Sequence, residues 1–142
     1  MDNIIHQSLD GIWKLAVIHQ KDFVKIALPT RYDAVVNTGS MGAIILDAAV
    51  PGNFEIDLEK AGKISDPFFG ANVLKMFEWE DCHVIYAKKF MYKGETGKKP
   101  ELVFEGIDTV ADIYLNGVFL SHTANMYLTH RIDATERNTP SR

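Results

Sequence analysis

One short stretch of the sequence holds its densest group of chemically active side chains. An aromatic ring flanked by hydrogen-bonding groups can bind a sugar, and carboxylates beside a histidine can hold a weakly bound metal ion. The metal alternative is the poorer one, because these acids and His83 lack the ligand spacing of a recognised metal site. A polar loop leading into a strand, with the tryptophan partly buried, explains the same residues without a ligand and is favoured. The residues are Glu78, Trp79, Glu80, Asp81 and His83.

Other arrangements that could support catalysis do not meet their chemical requirements. A retaining glycosidase needs two carboxylates about 5 Å apart, and most acids here fall where strand ends and turns are solvated. Cys82 and His83 are adjacent on a predicted strand, so they point to opposite faces and cannot act as nucleophile and base. The run from Gly94 to Lys99 lacks the four-residue glycine spacing and the Ser or Thr of a phosphate loop. We therefore expect no catalytic residue, no metal site and no cofactor.

The segment from Ser65 to Asn72 contains two adjacent phenylalanines, Phe68 and Phe69, between Asp66-Pro67 and Gly70. Exposed aromatic side chains in a mobile loop are unfavourable. Either these rings hold the loop on the core, or the loop shapes a binding surface. The two interpretations are compatible.

The elements that must position these groups are mostly short strands. One helix is predicted after Pro51-Gly52, because Asn53 is a good N-cap and apolar residues recur at helical spacing up to Gly62. Residues 31–42 read as a loop with a short extended piece over Ala34–Val36. Asn116-Gly117 between two apolar strands predicts a type I′ hairpin. The predicted strands cover residues 12–18, 23–28, 43–50, 83–92, 101–105, 110–115, 118–120 and 127–132.

About eight short strands and one short helix indicate an all-β sandwich. The 142 residues carry no repeat or linker, so we expect a single domain over 1–142. A net charge of -4 argues against nucleic-acid and anionic-membrane partners, and the sequence has no apolar run of membrane-spanning length. The N-terminal residues lack the pattern of a secretory signal, and the single cysteine, Cys82, cannot form an internal disulfide. Both observations favour a cytoplasmic location.

The order of several segments resembles the N-terminal domain of family 2 glycoside hydrolases, in the β-mannosidase-like branch. The likeness spans roughly residues 45 to 134 and rests on many ordered motifs. The segments are Val50–Leu58, Ala61–Asn72, His83–Phe90, Leu102–Gly117 and Asn125–Tyr127.

This resemblance implies a galactose-binding-like jelly roll, the sugar-binding domain that precedes immunoglobulin-like domains and a (β/α)8 barrel in that family. The barrel carries both catalytic glutamates, and the acid/base follows an asparagine. The present sequence contains no Asn-Glu dipeptide and has no room for a barrel. The resemblance therefore implies a noncatalytic domain of a β-mannosidase- or β-galactosidase-like enzyme of carbohydrate metabolism, which buttresses the barrel and lends loops to the sugar pocket.

Four residues are candidates for the rim of that pocket. Asp66, Asn72 and Glu78 would donate or accept hydrogen bonds with sugar hydroxyls, and Trp79 would stack on the ring. Many family members have histidine where this sequence has Glu55, so the substrate within the β-glycosides stays open. The same loop could instead serve the interface with the barrel.

The family continues with further strands beyond Ala134-Thr135, so we expect this chain to be an N-terminal fragment of a larger multidomain glycosidase. The resemblance implies two partners, a β-linked sugar and the C-terminal domains of the same protein. An unclosed sheet edge predicts self-association or marginal stability. Two alternatives are a stand-alone carbohydrate-binding module, with Trp79 as its platform, and a structural or assembly domain that uses Phe68 and Phe69.

Overall fold

A computed structural model describes residues 6–60, 82–94, 97–107, 110–125 and 127–135. The chain forms two compact units, which are described separately. One unit comprises residues 8–90, and the other comprises residues 1–7 together with residues 91–142.

The unit of residues 8–90 is built on a three-stranded antiparallel sheet. Strand β1 (Gly11–His19) lies in the centre, between β2 (Ile44–Val50) and β3 (Cys82–Ala87). In this register Leu15 is paired with Leu46 on one side and with Tyr86 on the other. The register thus aligns apolar positions from three distant parts of the sequence.

Both faces of this sheet are covered by apolar side chains, which explains why β1 is apolar without alternation. Successive residues of a strand point to opposite faces, and here Leu15 and Val17 belong to one buried cluster while Ala16 and Ile18 belong to the other. Each fully buried large apolar side chain contributes about 1.5–3 kcal/mol. Residues 15–18 therefore form the centre of the core of this unit.

Helix α3 (Phe54–Lys60) is the helix predicted from the sequence. Its N-cap is Asn53, whose side-chain Oδ1 accepts a 3.0 Å hydrogen bond from the Ile56 backbone N–H. Leu58 is fully buried in the cluster with Leu15. The prediction is confirmed at its start, and the predicted stop at Gly62 lies outside the described residues.

Two further short helices lie where the sequence predicts none. The prediction of a loop over residues 31–42 with an extended piece at Ala34–Val36 is wrong, because helix α2 covers Tyr32–Asn37 and a 3₁₀ helix covers Thr38–Met41. The valines of α2 each cost at most about 0.7 kcal/mol in helix propensity. Val35 is 3% exposed against the sheet, and burying a valine contributes about 1.5–3 kcal/mol, so packing outweighs propensity.

The predicted strand at residues 23–28 is also wrong. Helix α1 covers Gln20–Phe23, and His19 is its N-cap, with Nδ1 accepting a 3.2 Å hydrogen bond from the Lys21 backbone N–H. Phe23 and Ile26 both pack on the same buried cluster of the sheet. A spacing of three places them on one side of a turn, whereas strand alternation would separate them.

The unit that contains residues 91–135 is formed by two antiparallel strand pairs. Strand β4 (Glu101–Phe104) pairs with β7 (His130–Asp133), and β5 (Ala111–Leu115) pairs with β6 (Val118–Thr123). The turn between β5 and β6 has φ of 52° at Asn116 and 82° at Gly117, which confirms the predicted hairpin. Leu102 and Phe104 are both half-buried on one face of β4, as the alternation predicts.

Strands dominate the described residues, which contain three short α-helices where one was predicted, and the all-β class is confirmed. Strands β3 and β7 are shorter than the predicted runs 83–92 and 127–132. Within the described residues, no helix has the length and apolar character needed to cross a membrane.

Candidate functional site

The sequence nominates four residues for sugar binding. Asp66, Asn72, Glu78 and Trp79 all fall between residues 61 and 81, outside the described residues. Their roles remain predictions.

Of the group Glu78, Trp79, Glu80, Asp81 and His83, the structure describes only His83. Its ring stacks on Phe23 with 3.7 Å between ring centroids and 15° between planes. Its Nε2 also lies within hydrogen-bond reach of the Gln20 side-chain oxygen. His83 therefore fixes helix α1 to strand β3, which is a structural role.

Cys82 and His83 lie on opposite faces of the sheet, as predicted. Cys82 packs against the cluster that contains Leu15, whereas His83 faces Phe23 of helix α1. Among the described residues, no group of three His, Cys, Asp or Glu side chains is placed to hold a metal ion.

A depression of about 150 Å³ lies in the unit of residues 8–90, where the three strands meet helix α2. Strand β1 contributes Ile12 to Lys14, β2 contributes Asp47, α2 contributes Tyr32, and residues 87–89 follow along β3 and beyond its end. Its lining combines aromatic rings with ammonium and carboxylate groups. Charged and aromatic groups are thus brought together at one place on the surface of this unit.

The ion pair between Lys14 and Asp47 is part of this lining. The two residues are direct partners across β1 and β2, and Lys14 Nζ lies 2.6 Å from Asp47 Oδ1. The hydrogen bond to Asp47, reinforced by the charge of that carboxylate, raises the pKa of Lys14 above its ordinary value of 10.5. Lys14 therefore keeps its positive charge throughout the neutral range.

Lys88 and Lys89 each approach an aromatic ring. Lys89 Nζ lies 5.0 Å from the centroid of the Tyr32 ring and 3.0 Å from Asp33 Oδ1. Lys88 Nζ lies 6.0 Å from the Trp13 ring and donates a 3.2 Å hydrogen bond to the carbonyl of Ile12. Both distances to the rings are within the range of cation–π interactions.

This depression was not predicted from the sequence. None of its residues Lys14, Tyr32, Asp47, Lys88 and Lys89 was a predicted site residue. These residues are far apart in the chain and meet only through the register β2-β1-β3 and the position of α2. A signal was present in the polar Lys14 and Asp47 within two apolar strands, but pairing them requires the register.

Comparison with known proteins places this architecture in a family. A family profile described as "Glycosyl hydrolase 2 galactose-binding domain-like" matches residues 30–141. A crystal structure of β-D-mannosidase from Dictyoglomus thermophilum is similar, with a TM-score of 0.68 and 31% sequence identity, over 90% of this chain and 13% of that one. This similarity confirms the galactose-binding-like all-β fold.

Curated relatives give the same result. "Beta-mannosidase" from Bos taurus is 34% identical over 113 residues, which are 78% of this chain and 13% of that protein. "Beta-mannosidase B" from Thermothelomyces thermophilus is 34% identical over 87 residues, 60% of this chain and 10% of that protein. The chain thus spans only 10% to 13% of the length of these relatives. Since the profile covers most of its residues, the chain belongs to the galactose-binding-like domain family of family 2 glycoside hydrolases, in the β-mannosidase-like branch.

Proposed function

We propose that this chain acts as the noncatalytic N-terminal domain of a β-glycosidase that hydrolyses β-mannosides. The observation that carries the proposal is its alignment with only 13% of bovine β-mannosidase, at 34% identity. The sequence has no Asn-Glu dipeptide, so it lacks the asparagine–glutamate pair that the family resemblance assigns to the acid/base in the barrel. The reaction itself would then belong to residues outside this chain.

The proposed role is to support the catalytic barrel and to complete the rim of the sugar pocket. Asp66, Asn72 and Glu78 supply polar groups for the hydroxyls of a β-linked sugar, and Trp79 supplies a stacking face. Described elements flank this segment on both sides. Helix α3 ends at Lys60, held by Leu58 in the core, and β3 starts at Cys82.

The experiment is a domain replacement in the β-mannosidase of Dictyoglomus thermophilum. The part of that enzyme that aligns with this chain is replaced by residues 1–142, and hydrolysis of an aryl β-mannoside is measured. We expect the chimera to hydrolyse the substrate and the isolated chain to be inactive. Loss of the barrel acid/base in the chimera should abolish activity.

A matched pair of variants in the chimera tests the rim assignment. Trp79→Ala should raise KM for the aryl β-mannoside, because it removes a stacking face, while Trp79→Phe keeps an aromatic face and should raise KM less. Hydrolysis by the isolated 142-residue chain would overturn the proposal. So would a folded chimera without activity.

A further inference from the structure

The depression around Lys14, Lys88 and Lys89 is positively charged although the protein is acidic. The chain as a whole has a net charge of -4. Among the described residues, the lining of the depression contains these three lysines and a single carboxylate, that of Asp47. Even when the nearby Asp33 is included as the partner of Lys89, one positive charge remains. The local field therefore attracts an anionic group.

Lys88 provides the unneutralised charge. Lys14 is paired with Asp47 and Lys89 with Asp33, whereas the hydrogen bond of Lys88 goes to a neutral carbonyl, that of Ile12. No carboxylate of the described residues forms an ion pair with Lys88. An ammonium group has three donors, so Lys88 can still donate to a ligand.

The aromatic rings argue for more than a bare ion. The Trp13 ring is fixed by a 2.7 Å hydrogen bond from its Nε1 to the Leu9 carbonyl, and Tyr32 lines the depression on the side of α2. The volume of about 150 Å³ corresponds to roughly five water molecules at about 30 Å³ each. This space accepts part of a ring as well as its charged substituent.

We propose that this depression binds the carboxylate of an acidic sugar, with Lys88 Nζ as the donor to the carboxylate. The ring of the sugar lies against Trp13, and the carboxylate of Asp47 accepts a hydrogen bond from a sugar hydroxyl. This inference goes beyond the proposed function, because it uses other residues and an anionic ligand. Its residues all belong to the described unit of residues 8–90.

The test is a ligand titration of the 142-residue chain, monitored by two-dimensional ¹H–¹⁵N NMR. The protein has two tryptophans, Trp13 and Trp79, so two indole N–H signals report separately on the depression and on the proposed pocket rim. The ligand is methyl β-glucuronide, and the matched neutral ligand is methyl β-glucoside. We expect the Trp13 signal to shift with the glucuronide and much less with the glucoside.

Two lysine variants identify the donor. Lys88→Gln removes the unneutralised charge and should weaken glucuronide binding about three- to tenfold, since charge-assisted hydrogen bonds exceed neutral ones. Lys98→Gln removes an exposed lysine from the other unit and should leave the affinity unchanged. The backbone signals of both variants establish that they remain folded.

Several outcomes would overturn this inference. They are the absence of a Trp13 shift with glucuronide, equal shifts with glucoside, and equal effects of the two variants. Equal Trp13 shifts with sodium sulfate would show that the rings take no part. A Trp79 shift with methyl β-mannoside tests the proposed function instead, so failure of one proposal does not imply failure of the other.

Discussion

Asp57 of helix α3 accepts a 3.2 Å hydrogen bond through Oδ1 from the backbone N–H of Ala49 in strand β2. The contact closes the turn through Pro51 and Gly52, and the Asp57 residue is only 4% exposed. Its other oxygen, Oδ2, is buried without a hydrogen-bond partner among the described residues. A buried carboxylate is unfavourable unless it accepts hydrogen bonds. The hydrogen bond from Ala49 therefore stabilises the position of α3 beside β2.

Replacing Asp57 by alanine should therefore destabilise the unit of residues 8–90. Asp57→Ala leaves the half-buried Ala49 N–H without its acceptor, and we expect the free energy of unfolding to fall by about 0.5–1.5 kcal/mol, the net value of a hydrogen bond. Asp57→Asn keeps the Oδ1 acceptor and should cost less. Urea denaturation monitored by circular dichroism measures the stability of both variants. Asp10→Ala, at an exposed position, is the control. Equal midpoints for Asp57→Ala and Asp10→Ala would contradict this role.

Position 52 in the same turn requires glycine, because the backbone of β2 leaves no space for a side chain there. A Cβ added to Gly52 would lie 2.4 Å from the carbonyl oxygen of Ala49, which is backbone and cannot move away easily. Gly52→Ala should cost about 1–3 kcal/mol through the forced shift.

Gly39→Ala is the comparison for the Gly52 variant. Its added Cβ would meet Ile45 Cγ1 at 3.0 Å, so this side chain must shift by only a few tenths of an ångström. Thermal unfolding of both variants should place Gly52→Ala below Gly39→Ala. The opposite order would show that the turn rearranges around a side chain.

The β5–β6 hairpin provides a prediction about backbone conformation. Gly117 has a φ of 82°, in the left-handed region, where other residues lose roughly 1–2 kcal/mol. Gly117→Ala should lower the free energy of unfolding by about that amount, whereas Asn116→Gly should cost less, because Asn116 already has a positive φ of 52°. Urea midpoints measure the difference. Equal midpoints for the two variants would mean that another turn type replaces type I′.

Local signals were sufficient for two elements of the fold. Asn53 caps α3 and Asn116-Gly117 forms the hairpin turn, and in both cases the side chain or backbone conformation depends on neighbours within three residues. Interactions of such short range can be predicted from the sequence. Helix α2 was missed because its stability depends on Val35 reaching the sheet face, a contact with β1 and β3 that no local pattern contains.

The two candidate sites differ in a similar way, because one was nominated from the sequence and the other requires the tertiary structure. The family resemblance nominated Asp66, Asn72, Glu78 and Trp79, which the described structure does not reach. The cationic depression depends instead on Lys14 pairing with Asp47 across two strands 33 residues apart in sequence. Its recognition needs the strand register, and the apolar pattern of β1 and β2 specifies which faces are buried but not which residues are opposite each other.

The Lys14–Asp47 pair makes the stability of this unit sensitive to pH in the alkaline range. The hydrogen bond and the charge of Asp47 raise the pKa of Lys14 in the folded protein above its ordinary value of 10.5. A group whose pKa is higher in the folded state stabilises that state while it is protonated. The contribution of Lys14 is therefore fully present below about pH 10.5 and is lost as the pH rises through the folded value.

The variant Lys14→Met retains the apolar stem and removes the charge. We expect the wild-type protein to have the higher urea midpoint at pH 7 and 9, and the difference between the two proteins to shrink at pH 11. The difference should be modest and should decrease in high salt, because both side chains are partly exposed. Asp47→Asn should remove the same pH dependence, since Lys14 then has no carboxylate partner in β2. A difference that grows from pH 9 to pH 11 would contradict the direction of the pKa shift.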